Sequence, residues 1–188
     1  CRSGAHSTRV TVMAAASKKH ADEPHLSSKP FDESRDGLVV SEGSGAVILE
    51  ELEHALARGA KIYAEVVGYG TSCDGSHITT PSRDGMQQVM QTSLDDAGLQ
   101  ASDIDYINAH ATATARGDIA ESHATHAIFG STTPISSTKG HMGHLLGGCG
   151  VVESVICLLA LNKSFLPKTM NFQKLDPECA PINVLGSN

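Results

Sequence analysis

Two segments of this chain show the same order of residues: an apolar, strand-like run, then a histidine, then small residues that lead into a helix. The first histidine is His110, which follows the run at residues 103–109, and the second is His144, which follows residues 134–138. Residues at the carboxyl ends of strands in an open α/β sheet lie where such sheets keep their ligand crevices. The repeated order therefore predicts an α/β fold with a paired-histidine site.

The other segments also alternate between strand and helix signals, which is typical of a layered α/β fold. Continuous apolar runs predict buried strands, and the helical stretches end at Gly59, Gly98 and Gly130. The predicted strands are residues 38–40, 46–49, 61–70, 103–109 and 134–138, and the predicted helices are residues 10–19, 51–58, 84–97, 117–128 and 144–162. The last helix is apolar on most faces, so we expect it to be buried.

Composition and charge exclude several classes of function. Apolar residues make up 40% of the 188 residues, and the net charge of -7 leaves no basic stripe for nucleic acid. The sequence has no uninterrupted run of about 18 apolar residues and no signal peptide, so we expect no membrane span and a cytoplasmic location. The five cysteines include no CxxC pair, which predicts reduced thiols. The chain starts at Cys1, which indicates a truncated or processed protein.

Several motifs in a fixed order resemble those of the β-ketoacyl-[acyl carrier protein] synthases, and the likeness covers roughly residues 10–185. The motif segments are residues 29–40 with their Arg-Asp-Gly sequence, Glu-Gly-Ser-Gly at 42–45, residues 49–60, residues 62–70, Gly-Asp-Ile-Ala-Glu at 117–121 and the two histidine motifs. Within that family, residues 24–26 and 71–81 look most like the bacterial elongating synthases.

The resemblance implies a thiolase-like fold, in which two similar halves pack on a shared layered core. This chain is similar to the second half only, so we expect residues 1–188 to form one C-terminal half-domain of βαβαβαβ type, a layered α/β/α structure with a mixed sheet. Residues 1–30 are expected to be a partly irregular connecting segment. In the family the nucleophilic cysteine lies in the first half, so we expect the chain alone to be inactive in condensation.

The resemblance also implies which residues form the catalytic centre. His110 and His144 are expected to donate Nε2–H hydrogen bonds to the carbonyl of a malonyl thioester, where negative charge develops. Lys139 resembles the family lysine beside the second histidine, where its ammonium would influence imidazole protonation. These three residues are the predicted catalytic set.

Five further residues are implied to support that set. Glu153 resembles the carboxylate that pairs with the lysine, and Asp118 and Glu121 are expected to organise a helix start and hold the loop after the first histidine. Thr112 and Thr114 occupy the positions that contact the pantetheine arm of the carrier.

Two positions depart from the family pattern or attract attention beside it. Ala111 stands where the family usually has glycine, so we expect strain at a backbone position that prefers positive φ. Cys149 follows two glycines and is a tempting nucleophile, but it aligns with a small packing residue in the helix after His144.

The activity that the resemblance implies is an acyl transfer: decarboxylative Claisen condensation of an acyl thioester with malonyl-acyl carrier protein in fatty acid biosynthesis. It implies no cofactor and no metal. The implied partners are acyl carrier protein with its phosphopantetheine-linked groups, the missing N-terminal half, and a second copy in a homodimer. Without the missing half, apolar surface stays uncovered, so we expect the isolated chain to self-associate.

Two other hypotheses remain open at this point. A non-catalytic homologue that acts as a heterodimer partner or binds carrier protein fits a chain without the nucleophile, although it has no need of paired histidines. A metal site is the second hypothesis, because His141 and His144, and likewise His123 and His126, are spaced i, i+3 with Glu121 nearby.

Overall fold

The computed structural model describes residues 15–20, 22–77 and 80–186. In this part of the chain the helices are α1 (Leu52–Ala57), α2 (Arg83–Ala97), α3 (Ala115–Phe129), α4 (Lys139–Met142) and α5 (Cys149–Lys163). The strands are β1 (Ile107–Asn108), β2 (Pro134–Ser136) and β3 (Asn183–Val184), and short 3-10 helices cover Pro24–Leu26, Ala101–Asp103 and Leu146–Gly148.

The three strands form one parallel sheet in which β2 lies between β1 and β3. The register pairs Ile107 with Ile135 and Asn108 with Ser136, so the two strands that precede the histidines are direct neighbours. Because both strands run the same way, their carboxyl ends meet at one edge of the sheet. The described strands are all parallel, so an antiparallel strand of the predicted mixed sheet is not among them.

The core of the described structure lies against this sheet and reaches the first histidine loop. Ile135 and Phe31 are completely buried, and burial of such a side chain stabilises a fold by about 1.5–3 kcal/mol. The buried cluster consists of Phe31, Ala109, Ala111, Ile135, Cys179 and Ile182. Ala109 and Ala111 flank His110, so the core fixes the backbone on both sides of that residue.

Helices α2 and α3 pack against each other, and their ends follow from local sequence signals. Ser82 begins α2 by accepting the backbone N–H of Gly85 at 3.2 Å, and Gly98 ends it with a left-handed φ of 66°. Gly130, with φ of 70°, follows α3. The predictions for residues 84–97 and 117–128 are confirmed, with ends shifted by at most two residues.

The predicted buried strands at residues 46–49 and 61–70 are not strands in the described structure, and this expectation was wrong. Their apolar side chains are exposed: Ile48 by 90%, Leu49 by 79% and Val66 by 77%. A strand exists only where a neighbouring strand pairs with its N–H and C=O groups, and the described part of the chain supplies no partner strand for these runs. The apolar pattern predicted that these side chains pack against something, but it could not show that the packing partner lies outside the described residues.

Helix α5 is also more exposed than the sequence predicts. It begins at Cys149, later than the predicted 144, and only its residues Cys149 and Ala160 are buried. The segment Leu146–Lys163 is long and apolar enough to cross a membrane by length and composition, which the sequence analysis did not foresee. Because the core helix of a soluble protein meets the same criterion, this single segment is weak support for a membrane span.

The first described residues are not helical, although the sequence predicts a helix that includes them. Residues 10–14 of the predicted helix 10–19 lie outside the described residues, and residues 15–19 are not helical. Ala16 instead forms a parallel bridge with Leu38, because Asp36 accepts backbone N–H groups from the segment and holds it extended.

Candidate active site

The rings of His110 and His144 meet edge to face. Their centroids lie 5.2 Å apart, and the ring planes make an angle of 84°. The first residue lies two positions after β1, and the second follows α4, which is itself preceded by β2. The shared sheet edge thus brings together two imidazoles that are separated in sequence.

The loop that carries His110 is fixed by a carboxylate of α3. The backbone N–H groups of His110 and Ala111 each donate to Glu121, at 2.7 Å and 2.7 Å. Burial raises the pKa of Glu121, and these two hydrogen bonds oppose that effect by favouring the carboxylate. These contacts tie the loop after the first histidine to α3.

The strained residue of this loop is not the one expected. Ala111 does not have a positive φ, whereas Ala113, which is completely buried, has φ of 67°. A residue other than glycine in that region costs about 1–3 kcal/mol, so the surrounding packing must hold it. The hydroxyl groups of Thr112 and Thr114, on either side of it, lie 3.0 Å apart.

His144 is held by the extended segment that precedes the exposed apolar runs. Its N–H donates to the carbonyl of Val39 at 2.7 Å, and its own carbonyl accepts the N–H of Ser41 at 3.0 Å. Gly143, with φ of 73°, makes the turn out of α4 that allows this pairing. The backbone of the second histidine is therefore fixed on both sides.

The hydrogen bonds around the ring of His144 determine its tautomer. The backbone N–H of Leu146 lies 3.3 Å from Nδ1, so Nδ1 must accept. In the neutral ring the hydrogen is then on Nε2, for which the described residues show no hydrogen-bond partner. The same reasoning cannot assign His110, whose ring makes no hydrogen bond to the described residues.

The surroundings of both imidazoles lower their pKa values and so favour the neutral rings. Although part of His110 is open to solvent, desolvation lowers its pKa to about 4, with further lowering from the charges of Lys139 and His144. Desolvation and then Lys139 also lower the pKa of His144. A neutral imidazole can donate a hydrogen bond without carrying a charge into the site.

Lys139 is buried near the two histidines and forms an ion pair. Its Nζ lies 2.5 Å from the carboxylate of Glu153 on α5, and its side chain is 1% exposed. Its backbone N–H donates to the hydroxyl of Ser137, which in turn donates to the carbonyl of Ala111 at 2.8 Å. Ser137 thus ties the loop of the first histidine to the helix before the second.

Comparison with known proteins identifies the family of the chain. Residues 63–173 match the family model described as β-ketoacyl synthase, C-terminal domain, and residues 4–55 match that of the N-terminal domain. The chain belongs to the β-ketoacyl synthase family. This ketosynthase chain is 51% identical over 162 residues to 3-oxoacyl-[acyl-carrier-protein] synthase 2 of Rhizobium meliloti, which covers 84% of the chain and 38% of the relative. It thus spans about two fifths of that protein's length.

Solved structures show that the ketosynthase fold is retained. A crystal structure of a β-ketoacyl synthase from Burkholderia phymatum matches with a TM-score of 0.96 at 46% identity, over 99% of this chain and 45% of that one. A structure of a type II polyketide acyl carrier protein in complex with its ketosynthase matches with a TM-score of 0.90 at 34% identity, over 96% and 45%. The predicted thiolase-like α/β fold is confirmed.

Asp118 links the ketosynthase site to the Arg-Asp-Gly motif. Its carboxylate accepts the backbone N–H of Phe31 at 2.8 Å and lies 3.5 Å from Nε of Arg35. Burial raises its pKa to about 7, against the lowering effects of those contacts and of the Thr112 N–H. Asp118 therefore joins helix α3 to the segment around Arg35.

Sequence reasoning missed the partner of this arginine. The guanidinium of Arg35 lies 2.5 Å from Asp176 and also donates to the carbonyl groups of Asp32, Thr114 and Ala115. The motif itself was visible, but its acidic partner lies 141 positions away and no spacing rule connects the two.

The two predicted metal motifs of the ketosynthase chain do not converge. His141 Nε2 lies 2.9 Å from the carbonyl of Lys168, and His123 Nε2 lies 3.0 Å from the carbonyl of Glu178. Across residues 15–20, 22–77 and 80–186, no three His, Cys, Asp or Glu side chains are grouped to hold a metal ion. The i, i+3 spacing is therefore not used to build a ligand cluster there.

Proposed function

We propose that the protein containing this chain is a 3-oxoacyl-[acyl carrier protein] synthase that performs decarboxylative condensation in fatty acid biosynthesis. One observation carries the proposal: the imidazoles of His110 and His144 meet with their ring centroids 5.2 Å apart. The hydrogen bond from Leu146 to Nδ1 leaves the ring hydrogen of His144 on Nε2, where it is available as a donor. The nucleophilic cysteine is expected from a part of the protein outside this chain, so the chain alone is expected not to condense substrates.

The chemistry requires donors that face a developing negative charge. Loss of carbon dioxide from malonyl thioester leaves its electron pair on the enolate, whose carbon then attacks the acyl thioester and releases the cysteine thiolate. In the proposal, Nε2–H groups of His110 and His144 donate to the enolate oxygen. One such donor contributes about 3–4 kcal/mol to transition-state stabilisation. The lowered pKa of each ring keeps these donors neutral at physiological pH.

Lys139 and Glu153 act on this site through charge and position. The ammonium lowers the pKa of both imidazoles, and its pairing with the carboxylate compensates its own burial. Lys139 thereby favours the neutral donors that the reaction needs.

The proposed substrates are carried by acyl carrier protein. The structural neighbour described as a carrier protein in complex with its ketosynthase supports this partner for a protein of the same fold. Thr112 and Thr114, which are adjacent to the histidine loop, are proposed to contact the pantetheine arm. Their hydroxyls, 3.0 Å apart, are suited to bond amide groups of an extended thioester.

The chain, residues 1–188, is proposed to act as the C-terminal half of a cytoplasmic homodimer, in which residues 4–55, matching the N-terminal domain model, would form the junction with the rest of the synthase. Exposure of Ile48, Leu49 and Val66 supports a covering partner, since soluble domains seldom leave such apolar patches open. The remainder of the synthase is the partner that would pair the runs at 46–49 and 61–70.

The test joins the amino-terminal part of the Rhizobium meliloti relative, with its cysteine, to this chain. Release of radiolabelled carbon dioxide from malonyl-acyl carrier protein and formation of the 3-oxoacyl product are measured. We expect condensation by the hybrid and a loss of about 100-fold or more in His110→Ala and His144→Ala. His123→Ala, whose ring faces Glu178, is the matched control and keeps the rate.

A folded hybrid that binds acyl-acyl carrier protein and never releases carbon dioxide would overturn the proposal in favour of a non-catalytic carrier-binding homologue. Full activity in both histidine variants would overturn the assigned roles.

A further inference from the structure

Cys149 is the first residue of α5 and lies behind the ring of His144. It is 4% exposed, and its Sγ is 3.1 Å from Nδ1 of His144 and 3.1 Å from the backbone nitrogen of Leu145. The thiol therefore contacts the Nδ1 edge of the imidazole. No other cysteine among the described residues contacts either histidine.

The hydrogens in this cluster can be assigned by elimination. Leu145 N–H donates to Sγ, so the sulfur is an acceptor in that contact. Leu146 N–H donates to Nδ1, so Nδ1 carries no hydrogen. The 3.1 Å contact between Sγ and Nδ1 then requires one hydrogen, and the thiol is the group left to supply it. The S–H of Cys149 donates to Nδ1.

We infer that Cys149 is a positioning residue for the catalytic histidine: its thiol donates to Nδ1 of His144 and helps hold the ring in the tautomer that presents Nε2–H beside His110. This inference rests on the proposed function for its catalytic meaning, while the tautomer itself does not depend on activity.

The thiol contributes something that the backbone donor alone does not. Leu146 N–H approaches Nδ1 at 3.3 Å, a long hydrogen bond, and a second donor from α5 fixes the rotation of the ring. The charged or titratable groups around the ring are Lys139 on α4, Glu153 on α5 and His110 after β1. Lys139 disfavours protonation of the ring, and the thiol adds to this effect because it can donate only to an unprotonated Nδ1.

The test measures ring nitrogen chemical shifts in the Rhizobium hybrid, which contains this chain, labelled with ¹⁵N-histidine. We expect wild-type His144 to show an unprotonated Nδ1 and a protonated Nε2. In Cys149→Ala the Nδ1 signal moves by several ppm, and the titration midpoint of His144 rises by about half a pH unit. Cys149→Ser, which keeps a donor, restores both values towards wild type.

Cys157→Ala is the matched control, because it removes a thiol from the same helix at a position without contact to His144. It is expected to leave the His144 signals unchanged, and the His110 signals report that each variant is folded. Wild-type protonation at Nδ1, or identical His144 shifts and midpoints in folded wild type and Cys149→Ala, would overturn the inference.

Measurements on the Rhizobium hybrid separate this inference from the proposed function. Changed His144 shifts and a raised midpoint in the Cys149→Ala form of a hybrid whose wild-type form does not condense support the positioning role and overturn the function. An active hybrid whose Cys149→Ala form keeps the wild-type His144 shifts and midpoint overturns the positioning role and leaves the function in place.

Discussion

The carboxylate of Glu121 accepts the backbone N–H of His110 at 2.7 Å, so the loop of this histidine is held by a side chain from the helix that follows it. A second bond of 2.7 Å to Ala111 makes the contact bidentate. The imidazole position is thus set by main-chain bonds and does not require a partner for the ring itself.

Replacement of this carboxylate by an amide is expected to loosen the loop. Glu121→Gln keeps one acceptor oxygen but turns an NH₂ group towards the second backbone N–H. We expect a loss of about 1–3 kcal/mol in the free energy of unfolding, measured with urea, and faster hydrogen exchange at the His110 and Ala111 amides. Glu53→Gln, at an exposed position on α1, is the control. Unchanged exchange at both amides would contradict this account.

The pKa of His110 predicts a specific dependence of stability on pH. Its folded value is about 4 and its ordinary value is 6.5, so between these values the unfolded chain binds a proton that the folded chain does not. The contribution of this residue to stability is therefore constant above about pH 6.5 and falls as the pH is lowered towards 4.

Proton NMR of the imidazole C2–H signals tests the value directly. We expect the His110 signal to titrate with a midpoint near 4 and the neutral ring to persist at pH 6. In His110→Gln the corresponding part of the acid destabilisation should be absent from urea unfolding curves. A midpoint at or above 6.5 would show that desolvation does not control this ring.

Loss of the buried ammonium is expected to affect both stability and the histidines. Lys139→Met leaves Glu153 without its partner, at an expected cost of about 3–5 kcal/mol in the free energy of unfolding. The imidazole midpoints of His110 and His144 should rise, because the charge of Lys139 lowers both pKa values.

A double-mutant cycle provides the control. Lys139→Met combined with Glu153→Leu removes both charges, so it should recover much of the stability while the histidine midpoints remain raised. Equal losses in the single and double variants would argue against coupling of the pair.

The exposed apolar side chains predict self-association of the isolated chain. Ile48 and Val66 are 90% and 77% exposed, so Ile48→Glu with Val66→Glu should reduce the associated fraction in sedimentation velocity. Thr92→Glu adds a charge at an exposed polar position on α2 and serves as the control. A monomeric wild-type chain at high concentration would contradict this prediction.

Features determined by nearby residues were predictable from the sequence. Ser82 and Gly98 bound α2 through local hydrogen bonding and a left-handed turn, so capping rules located it. The meeting of His110 and His144 could be predicted because each follows a strand of a parallel sheet, and strand ends share an edge.

Features that depend on distant partners were not predictable from the sequence. The apolar run at residues 46–49 requires a neighbouring strand that the described chain does not provide, so its pattern predicted burial that the structure does not show. The Arg35–Asp176 pair joins positions far apart in sequence. Cys149 was assigned to packing, although a thiol five residues after a histidine, across a 3-10 turn, could have indicated contact with the ring.

The bridge that ties the main chain of His144 to Val39 and Ser41 has a mechanical consequence. These two residues shortly precede the run at 46–49, whose apolar side chains are exposed. A partner that binds this run would contact the segment whose backbone is hydrogen-bonded to His144. Under the proposed function, we therefore expect binding of the rest of the synthase to be coupled to the position of the second imidazole.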